Sequence, residues 1–333
     1  MGSYRIFRDY TPTYICCKTL SNNSYKSFQN LHIKNNLSYK YYSQLSCINN
    51  NKISNDKFSY YLTGLIEGDG TIVVPKTKTT KGRLNYPSIQ IIFNLKDLPL
   101  ALLIQKELGN GSLSRKRGVN AYTLTVNSQK GLLLLISLIN GKMRTPKIHS
   151  LNALIDWYNS KDSSLNINKK SVDKSIITSN AWLSGFIEAD GHFSVRTTTV
   201  SKTYPRIECK FELSQRQIDH KGCDNIDFLN DISEFLSTET KKVRVSRPNP
   251  EYRVRTVSLK GNINLENYLN NFPLFGSKYL DYFDWLKVLN LFKKGKFDHK
   301  SNMEDVKKIK LNMNDRRTVY TWNHLDNFYK LDI

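Results

Sequence analysis

The chain of 333 residues carries 50 Lys and Arg side chains against 29 Asp and Glu, a formal net charge of +21. A charge of this size and sign indicates a polyanionic partner, above all nucleic acid, and argues against an uncharged sugar substrate. No apolar run approaches the roughly 20 residues that span a bilayer. The five cysteines form no C-x-x-C pair, so neither a disulfide framework nor a zinc site is predicted.

Residues 1 to 55 differ from the rest of the chain in composition. They are rich in Asn, Ser, Tyr and Lys, have Asp9 as their only acid, and show no helix or strand periodicity. This composition predicts a basic N-terminal extension. Three interpretations remain open: a mitochondrial targeting segment, a disordered arm, or upstream coding sequence read through into the domain.

Residues 56 to 158 predict a first half-domain with a lead helix, two strands, a helix, two strands and a helix. Gly70 is predicted to end the lead helix in the left-handed conformation, and Gly109 closes the next helix. The predicted elements are helix 58 to 69, strands 71 to 75 and 87 to 95, helix 98 to 108, strands 111 to 117 and 121 to 127, and helix 130 to 139.

Residues 180 to 299 repeat this order and predict a second half-domain, after a polar linker at residues 159 to 179. Apolar residues alternate through 207 to 213, which places Cys209 on the core face of a strand. The predicted elements are strands 193 to 199 and 206 to 213, helix 225 to 236, strands 241 to 247 and 252 to 259, and helices 264 to 271 and 277 to 292. The aromatic C-terminal extension, 300 to 333, is predicted to pack on the second half rather than to stack on nucleic acid.

The lead helices of the two halves carry nearly the same phrase, LTGLIEGDG at residues 62 to 70 and LSGFIEADG at 183 to 191. Gly64 and Gly68 lie four residues apart on one helix face, as do Gly185 and Ala189, so the two helices can approach backbone to backbone. A single copy would be consistent with an ordinary amphipathic helix with a glycine cap and a solvated acid. The duplication of the acid at matching positions argues against that interpretation.

Close packing of these helices would bring Asp69 and Asp190 into one small space. Two carboxylates so placed repel each other, and a divalent cation relieves the repulsion. Carboxylate oxygens favour Mg²⁺, which also keeps bound waters, and Mn²⁺ is a possible substitute. The sequence therefore predicts a metal site built from Asp69 and Asp190.

The two motifs resemble those of the LAGLIDADG homing endonucleases, specifically the intron-encoded, single-chain form with two motifs. The resemblance covers residues 56 to 290 and implies an α+β fold of two pseudo-symmetric half-domains, αββαββα, each with an antiparallel, saddle-shaped sheet, packed through the motif helices. It also implies that Asp69 and Asp190 are the catalytic, metal-binding acids. Glu67 and Glu188 are expected to close the helix ends rather than to act in catalysis.

The same resemblance implies a basic and a polar residue beside each acid. Lys147 and Lys278 fall where the family keeps its active-site lysines, and Gln215 matches its polar, water-holding residue. The counterpart of Gln215 would be Asp97, a departure that adds a charge and makes the two sites unequal. For each of these residues, simple surface solvation is the alternative.

Basic residues concentrate on the predicted strands and their loops, where a two-stranded ribbon fits the major groove. Some are expected to read bases and others to hold phosphates; for any single one, a solvated or phosphate-positioning charge is the simpler interpretation. The predicted DNA-binding residues are Lys76, Lys78, Arg83, Arg115, Arg117, Arg196, Lys202, Arg206, Lys210, Arg244, Arg247, Arg253 and Arg255.

These observations predict a monomeric, metal-dependent endonuclease that cuts both strands of a specific duplex and so promotes the mobility of its host intron. An intron maturase that binds its own intron RNA is the first alternative, and a catalytically silent DNA-binding protein the second. Intact Asp69 and Asp190 favour cleavage over both. The Asn, Lys, Ile and Tyr content suggests an AT-rich genome, and with the family resemblance it points to a fungal mitochondrion.

Overall fold

The structure, a computed structural model, describes residues 53 to 75, 85 to 198, 205 to 295 and 298 to 331. The predicted N-terminal extension, 1 to 55, falls almost entirely outside these ranges. No helix in the described ranges is long and apolar enough to cross a membrane.

The first half-domain has four helices and four strands among its described residues. The motif helix is longer than predicted, and the last helix, α4, was not predicted at all. The elements are α1 (Ile53–Asp69), β1 (Gly70–Val73), β2 (Ser88–Asn94), α2 (Leu98–Leu108), β3 (Ser112–Arg115), β4 (Ala121–Val126), α3 (Gln129–Ile139) and α4 (Ile148–Lys161).

The second half-domain repeats this order after a short 3-10 turn at Ile177–Ser179. Its first two strands are longer than those of the first half, and the helix predicted from residue 264 begins at residue 259. The elements are α5 (Trp182–Asp190), β5 (Gly191–Thr198), β6 (Arg206–Arg216), α6 (Ile226–Phe235), β7 (Thr240–Val243), β8 (Glu251–Arg255), α7 (Leu259–Asn271) and α8 (Lys278–Lys293). The predicted α+β fold with two repeated halves is confirmed.

Each half holds one antiparallel four-stranded sheet, in the order β1-β2-β4-β3 and β5-β6-β8-β7. The strand register is equivalent in both, because Gly70 pairs with Ile91 and Gly191 pairs with Leu213. One face of each sheet is buried against the helices. Cys209, at 8% exposure, lies on that core face as its alternation predicts.

The two motif helices, α1 and α5, form the seam between two hydrophobic cores. Phe58, Leu62 and Ile66 belong to the core of the first half, and Phe186 and Ile187 to that of the second. Each motif helix therefore packs into its own half on one side and against the other motif helix on its other side.

The predicted left-handed cap at Gly70 is wrong. Gly70 is not among the residues with positive φ and begins β1 directly, and its counterpart Gly191 is extended, with φ −72° and ψ 151°. Glycine is needed there for space, since a Cβ on Gly70 would lie 2.5 Å from the Ile66 carbonyl oxygen. Gly109, by contrast, does adopt the predicted left-handed conformation, with φ 58°.

The predicted linker and the C-terminal segment both pack against the folded halves. Leu165 and Ile167, within residues 159 to 179, belong to the first core. A further helix, α9 (Met303–Leu311), buries Met303 in the second core. The chain then returns to the first half, where the Phe328 ring lies 4.8 Å from that of Phe275. The C-terminal aromatics therefore pack, as predicted, but at the seam and on the first half.

Candidate active site

The motif helices touch through their backbones. A Cβ on Gly64 would lie 2.0 Å from the Trp182 carbonyl oxygen, and one on Gly185 would lie 1.9 Å from the Tyr61 carbonyl oxygen. No side chain fits in these gaps, so the predicted role of the glycines in close helix approach is confirmed.

The same packing brings the two acidic helix ends together. A Cβ on Gly68 would lie 2.2 Å from the Ala189 Cβ and 2.9 Å from Asp190 Oδ2. The Asp190 carboxylate therefore lies beside the residue that immediately precedes Asp69. Both acids end their helices at the same level of the seam.

The electrostatics of the two acids agree with this proximity. Asp69 reaches solvent through a cleft, but protein atoms crowd its other sides, and this desolvation together with the Asp190 charge raises its pKa to about 6. Desolvation also raises the pKa of Asp190, against the opposing effects of Lys278 and Gln215. Each carboxylate is thus less stable in its charged form than a fully solvated acid.

The two lysines occupy equivalent places, at the start of α4 and α8. Lys147 Nζ donates to four backbone carbonyls around the end of α1, at 2.7 to 3.3 Å. Lys278 Nζ donates to the carbonyls of Ile187 and Ala189 at 3.0 and 2.9 Å. Burial lowers the pKa of both lysines and the nearby carboxylates oppose that shift. A cation at the carbonyl end of a helix is favourable, and here it lies next to each acid.

The motif glutamates hold the loops that carry these lysines. Glu67 accepts hydrogen bonds from the backbone nitrogens of Arg144 and Thr145 and from the Thr145 hydroxyl, at 2.6 to 3.1 Å. Glu188 accepts from the Phe275 nitrogen at 2.7 Å. Both carboxylates have a raised pKa, chiefly from desolvation. Their role is therefore to position the lysine loops, and they reach further than the helix ends predicted for them.

Each glutamate also accepts a bond from the opposite motif helix. The Trp182 indole nitrogen donates to Glu67 at 2.5 Å, and the Tyr61 hydroxyl donates to Glu188 at 3.3 Å. Tyr61 and Trp182 stand at the same position of their motifs, six residues before the glutamate. Through these two hydrogen bonds and the glutamates that accept them, each lysine loop is linked to the seam between the halves.

Gln215 lies beside Asp190, with its Nε2 donating to Asp190 Oδ2 at 2.8 Å. The first half lacks this arrangement. From the equivalent pairs of Gly70 with Ile91 and Gly191 with Leu213, the residue corresponding to Gln215 is Phe93, which is buried. The two acids therefore have different polar neighbours.

Asp97 lies four residues beyond that position, in a 3-10 turn after β2. Its Oδ1 accepts a hydrogen bond of 2.6 Å from the Ser277 nitrogen, directly before Lys278 in the other half. Its negative charge contributes to raising the pKa of Asp69 and opposes the lowering of the pKa of Lys278. Asp97 thus acts across the seam and is not the positional counterpart of Gln215.

Asp69 opens into a cleft of about 510 Å³ between the halves, and Gln215, which bonds Asp190, also lines it. Asp69 and Lys147 line it from the first half, and Gln215 and His220 from the second. Within the described ranges no group of three or more His, Cys, Asp and Glu side chains is arranged to hold a metal ion. Asp69 at the cleft, with the Asp190 carboxylate beside the preceding Gly68, still fits Mg²⁺, which is commonly held by one or two carboxylates with substrate phosphates and waters completing its shell.

The predicted DNA-binding residues fall into four groups. Five of them, Arg196, Arg206, Lys210, Arg253 and Arg255, lie on the outer face of the second sheet, opposite its core. Three lie in hairpin turns: Arg117, Arg244 and Arg247. Four lie outside the described residues: Lys76, Lys78, Arg83 and Lys202.

Arg115 is the exception among the strand residues. It pairs with Tyr122, which itself pairs with Phe93, and these residues face the helix-covered side of the first sheet. Its side chain therefore does not lie on the outer face, unlike those of the other predicted DNA-binding residues on strands. A strand alternates strictly, so Ser112 and Ser114 take the outward positions instead.

A family model described as "LAGLIDADG endonuclease" matches residues 62 to 158 and again residues 183 to 289. The chain belongs to the LAGLIDADG endonuclease family. The two matched segments are the two halves described above, and each begins at the leucine that opens a motif phrase.

Other proteins are similar to this chain in sequence or in fold. The chain is 32% identical over 311 residues to the intron-encoded DNA endonuclease aI3 of Saccharomyces cerevisiae, covering 84% of this chain and 75% of that protein. It is 33% identical over 156 residues to the intron-encoded RNA maturase bI4 of the same yeast, covering 47% and 22%. The I-SmaMI LAGLIDADG homing endonuclease bound to cleaved DNA shares the fold, with a TM-score of 0.60, 19% identity and coverage of 78% and 98%.

Patterns in the sequence could have predicted two features that the sequence analysis missed: the aromatic partners of the glutamates and the helix α4. An aromatic residue with a polar hydrogen precedes the glutamate by six positions in both copies, as Tyr61 and Trp182. In the helix α4, apolar residues at 148, 151, 154, 155 and 158 follow helical spacing directly after Lys147. Comparing the two halves position by position would have found both features.

Proposed function

We propose that this chain is a site-specific DNA endonuclease that hydrolyses one phosphodiester bond in each strand of a duplex. The observation that supports it is the paired site at the seam. Two acids, each with a half-buried lysine beside it, are held together between two sheets by glycine contacts. Such duplication suits a substrate with two antiparallel strands, because each half can serve one strand.

Asp69 and Asp190 would hold the divalent ion, Mg²⁺ or Mn²⁺ in its place. Bound there, such an ion polarises the phosphoryl oxygen and lowers the pKa of an attacking water. The protein's own groups supply the rest of the site. Lys147 and Lys278 place positive charge where negative charge develops in the transition state, and Gln215 orients the Asp190 carboxylate.

The remaining expectations follow from this assignment. One chain carries both sites, so a monomer is sufficient, and because the halves differ in sequence the target need not be a palindrome. A relative encoded in a yeast intron supports a role in intron mobility. With the AT-rich codon usage implied by the composition, it also supports a fungal mitochondrial location.

Cleavage of organellar DNA that lacks the coding element tests the proposal. The native chain with Mg²⁺ is expected to make one defined staggered break, mapped by end sequencing. Asp69→Asn and Asp190→Asn are each expected to abolish the double-strand break while DNA binding in EDTA persists. The matched control is Asp156→Asn, on the exposed side of α4. Binding without any cutting by the native chain would instead support a silent DNA-binding protein.

A maturase is the second candidate, because the chain matches the RNA maturase bI4 over 47% of its length. Splicing of the host intron in the presence of the chain tests it. A maturase role predicts faster splicing that survives Asp69→Asn, since RNA binding needs the basic surface but not the acids. No change in splicing on adding the chain would remove this candidate.

A further inference from the structure

The outer faces of the two sheets differ in chemistry although their strands are equivalent. In the first sheet no outward-facing residue of the described strands is charged. The face presents amides, hydroxyls and aliphatic groups instead. These residues include Val73, Gln90, Ile92, Asn94, Thr123 and Thr125.

The outer face of the second sheet is strongly charged. Its outward-facing strand residues include Arg196, Lys210, Arg216, Lys241, Arg253 and Arg255. Glu212 lies among three of the arginines, 2.8 Å from Arg255, 3.4 Å from Arg196 and 3.8 Å from Arg253. Its side chain is only 12% exposed, so the ion pairs hold these guanidinium groups in place before any ligand arrives.

The groups of the first face match the edges of A·T pairs in the major groove. Asn and Gln form bidentate bonds to adenine, and aliphatic or threonine methyl groups contact the thymine methyl. Ile92 and Val73 are each 38% exposed on this face. Gln90 Nε2 bonds Ser88 Oγ at 3.2 Å, which leaves its carbonyl oxygen and a second N–H for a base.

Arginine forms its commonest specific contact with guanine, through the O6 and N7 acceptors. Arg253 and Arg255 are each 28% exposed, and Glu212 binds one side of their guanidinium groups. Arg253 Nε also donates to Ser214 Oγ at 3.2 Å, and pre-organised arginines lose less side-chain entropy on binding a base.

We infer that the DNA target is asymmetric in base composition: the half-site under the first sheet is read as A·T pairs, and the half-site under the second sheet carries the guanines. This inference rests on the proposed DNA-binding function and concerns the strand faces. The second half also supplies most of the positive charge of the described strands, so it is expected to anchor the protein by phosphate contacts.

Selection of bound sequences from a library of randomised duplexes tests the inference. The full chain with both Asp69→Asn and Asp190→Asn, in EDTA, binds without cutting and serves as the parent. Three further proteins are compared with it: Gln90→Ala, Arg253→Ala with Arg255→Ala, and Lys106→Ala as a control on helix α2. Arg255→Lys keeps the charge but removes the bidentate fork, and so separates base reading from phosphate binding.

We expect an asymmetric consensus. Gln90→Ala is expected to relax A·T positions in one half-site only, and the double arginine variant to relax guanine positions in the other, by roughly 10- to 100-fold in discrimination. Arg255→Lys is expected to relax guanine preference with little loss of affinity, and Lys106→Ala to leave the consensus unchanged. Substitutions that relax the same half-site, or Gln90→Ala relaxing G·C positions, would overturn this inference alone. A library with no enriched sequence would overturn the proposed function itself.

Discussion

The two half-domains are alike where the motif helices end and unlike on the outer faces of their sheets. At the helix ends both halves keep a glycine contact, an acid, a glutamate that bonds the lysine loop and a lysine that binds backbone carbonyls. On the sheets, one face is neutral and the other carries several arginines. This difference agrees with the proposed DNA substrate. The helix ends would act on phosphodiesters, which are the same in both strands, whereas the sheet faces would contact bases, which are not.

A smaller difference lies within the shared part. Gln215 bonds Asp190, but Phe93 occupies the equivalent place in the first half. Asp97 reaches across the seam and accepts a hydrogen bond from the Lys278 loop. The described contacts of the Lys147 loop include no equivalent of this bond. The two sites are thus built on one plan but differ in polarity, and substitutions made in pairs can measure how far they are equivalent.

Apart from the two acids, the largest expected effect comes from the lysines. Lys147→Met and Lys278→Met are each expected to slow cleavage of one strand by about 10²- to 10³-fold, because the charge facing the reacting phosphate is lost. Strand-resolved cleavage rates on a labelled duplex measure this. Lys106→Met, in the last turn of α2, is the control. Equal loss on both strands from either substitution would contradict the assignment of one site to each strand.

Next come the glycines at the seam. Gly64→Ala and Gly185→Ala are each expected to lower the free energy of unfolding by about 3 kcal/mol, since the added Cβ collides with a backbone carbonyl that cannot move aside. Urea unfolding measures the change. Gly118→Ala, with positive φ but nothing within 4 Å, should cost only the local strain of about 1 kcal/mol. Similar values for all three would mean that the helices separate easily.

The glutamates are expected to differ from each other. Glu67→Gln replaces an acceptor that receives bonds from Arg144, Thr145 and Trp182, and a glutamine amide cannot accept them all. A loss of about 2 kcal/mol in unfolding free energy is expected. Glu188→Gln, with fewer donors, should cost less. If Glu188→Gln lowers the unfolding free energy more than Glu67→Gln does, Glu188 stabilises its lysine loop more strongly than Glu67.

Gln215→Ala should affect one strand by a modest amount. Losing one hydrogen bond to Asp190 is expected to slow cleavage of that strand by about tenfold, equivalent to roughly 1.4 kcal/mol. Supercoiled plasmid would then accumulate as nicked circle before it becomes linear. Phe93→Leu, which keeps an apolar group at the equivalent place, should leave the ratio of nicked to linear product unchanged. Equal slowing of both strands would show that Gln215 serves both sites.

The smallest effect is on the pH dependence of stability. The pKa of Asp69 is about 6 in the folded chain against an ordinary 3.8, so the folded state binds this proton more tightly than the unfolded state. Stability from this group therefore falls as pH rises between these two values. In EDTA, Asp69→Asn is expected to be more stable than the native chain above this window, with the gap closing below it. Thermal unfolding across that range measures it, and added Mg²⁺ should stabilise the native chain only.

Much of this architecture was predictable from the repeated phrase and from local periodicity. The spacing of Gly64 and Gly68 predicted the helix contact, and the alternation around Cys209 predicted a buried strand face. The helix α4 was missed although its apolar residues follow helical spacing. The face that Arg115 takes was not predictable, because the exact strand limits decide it and a shift by one residue reverses it.

The sequence by itself determined that two similar halves exist, that each ends its lead helix with an acid before glycine, and that the ligand is a polyanion, because these depend on neighbours along the chain and on total charge. Only the tertiary structure decided that Glu67 receives Trp182 from the other half, that Asp97 reaches Ser277, and that Phe93 replaces Gln215. Those contacts join residues more than a hundred positions apart or depend on register between strands. Hydrogen-bond partners at such separations are chosen by packing, which local patterns do not encode.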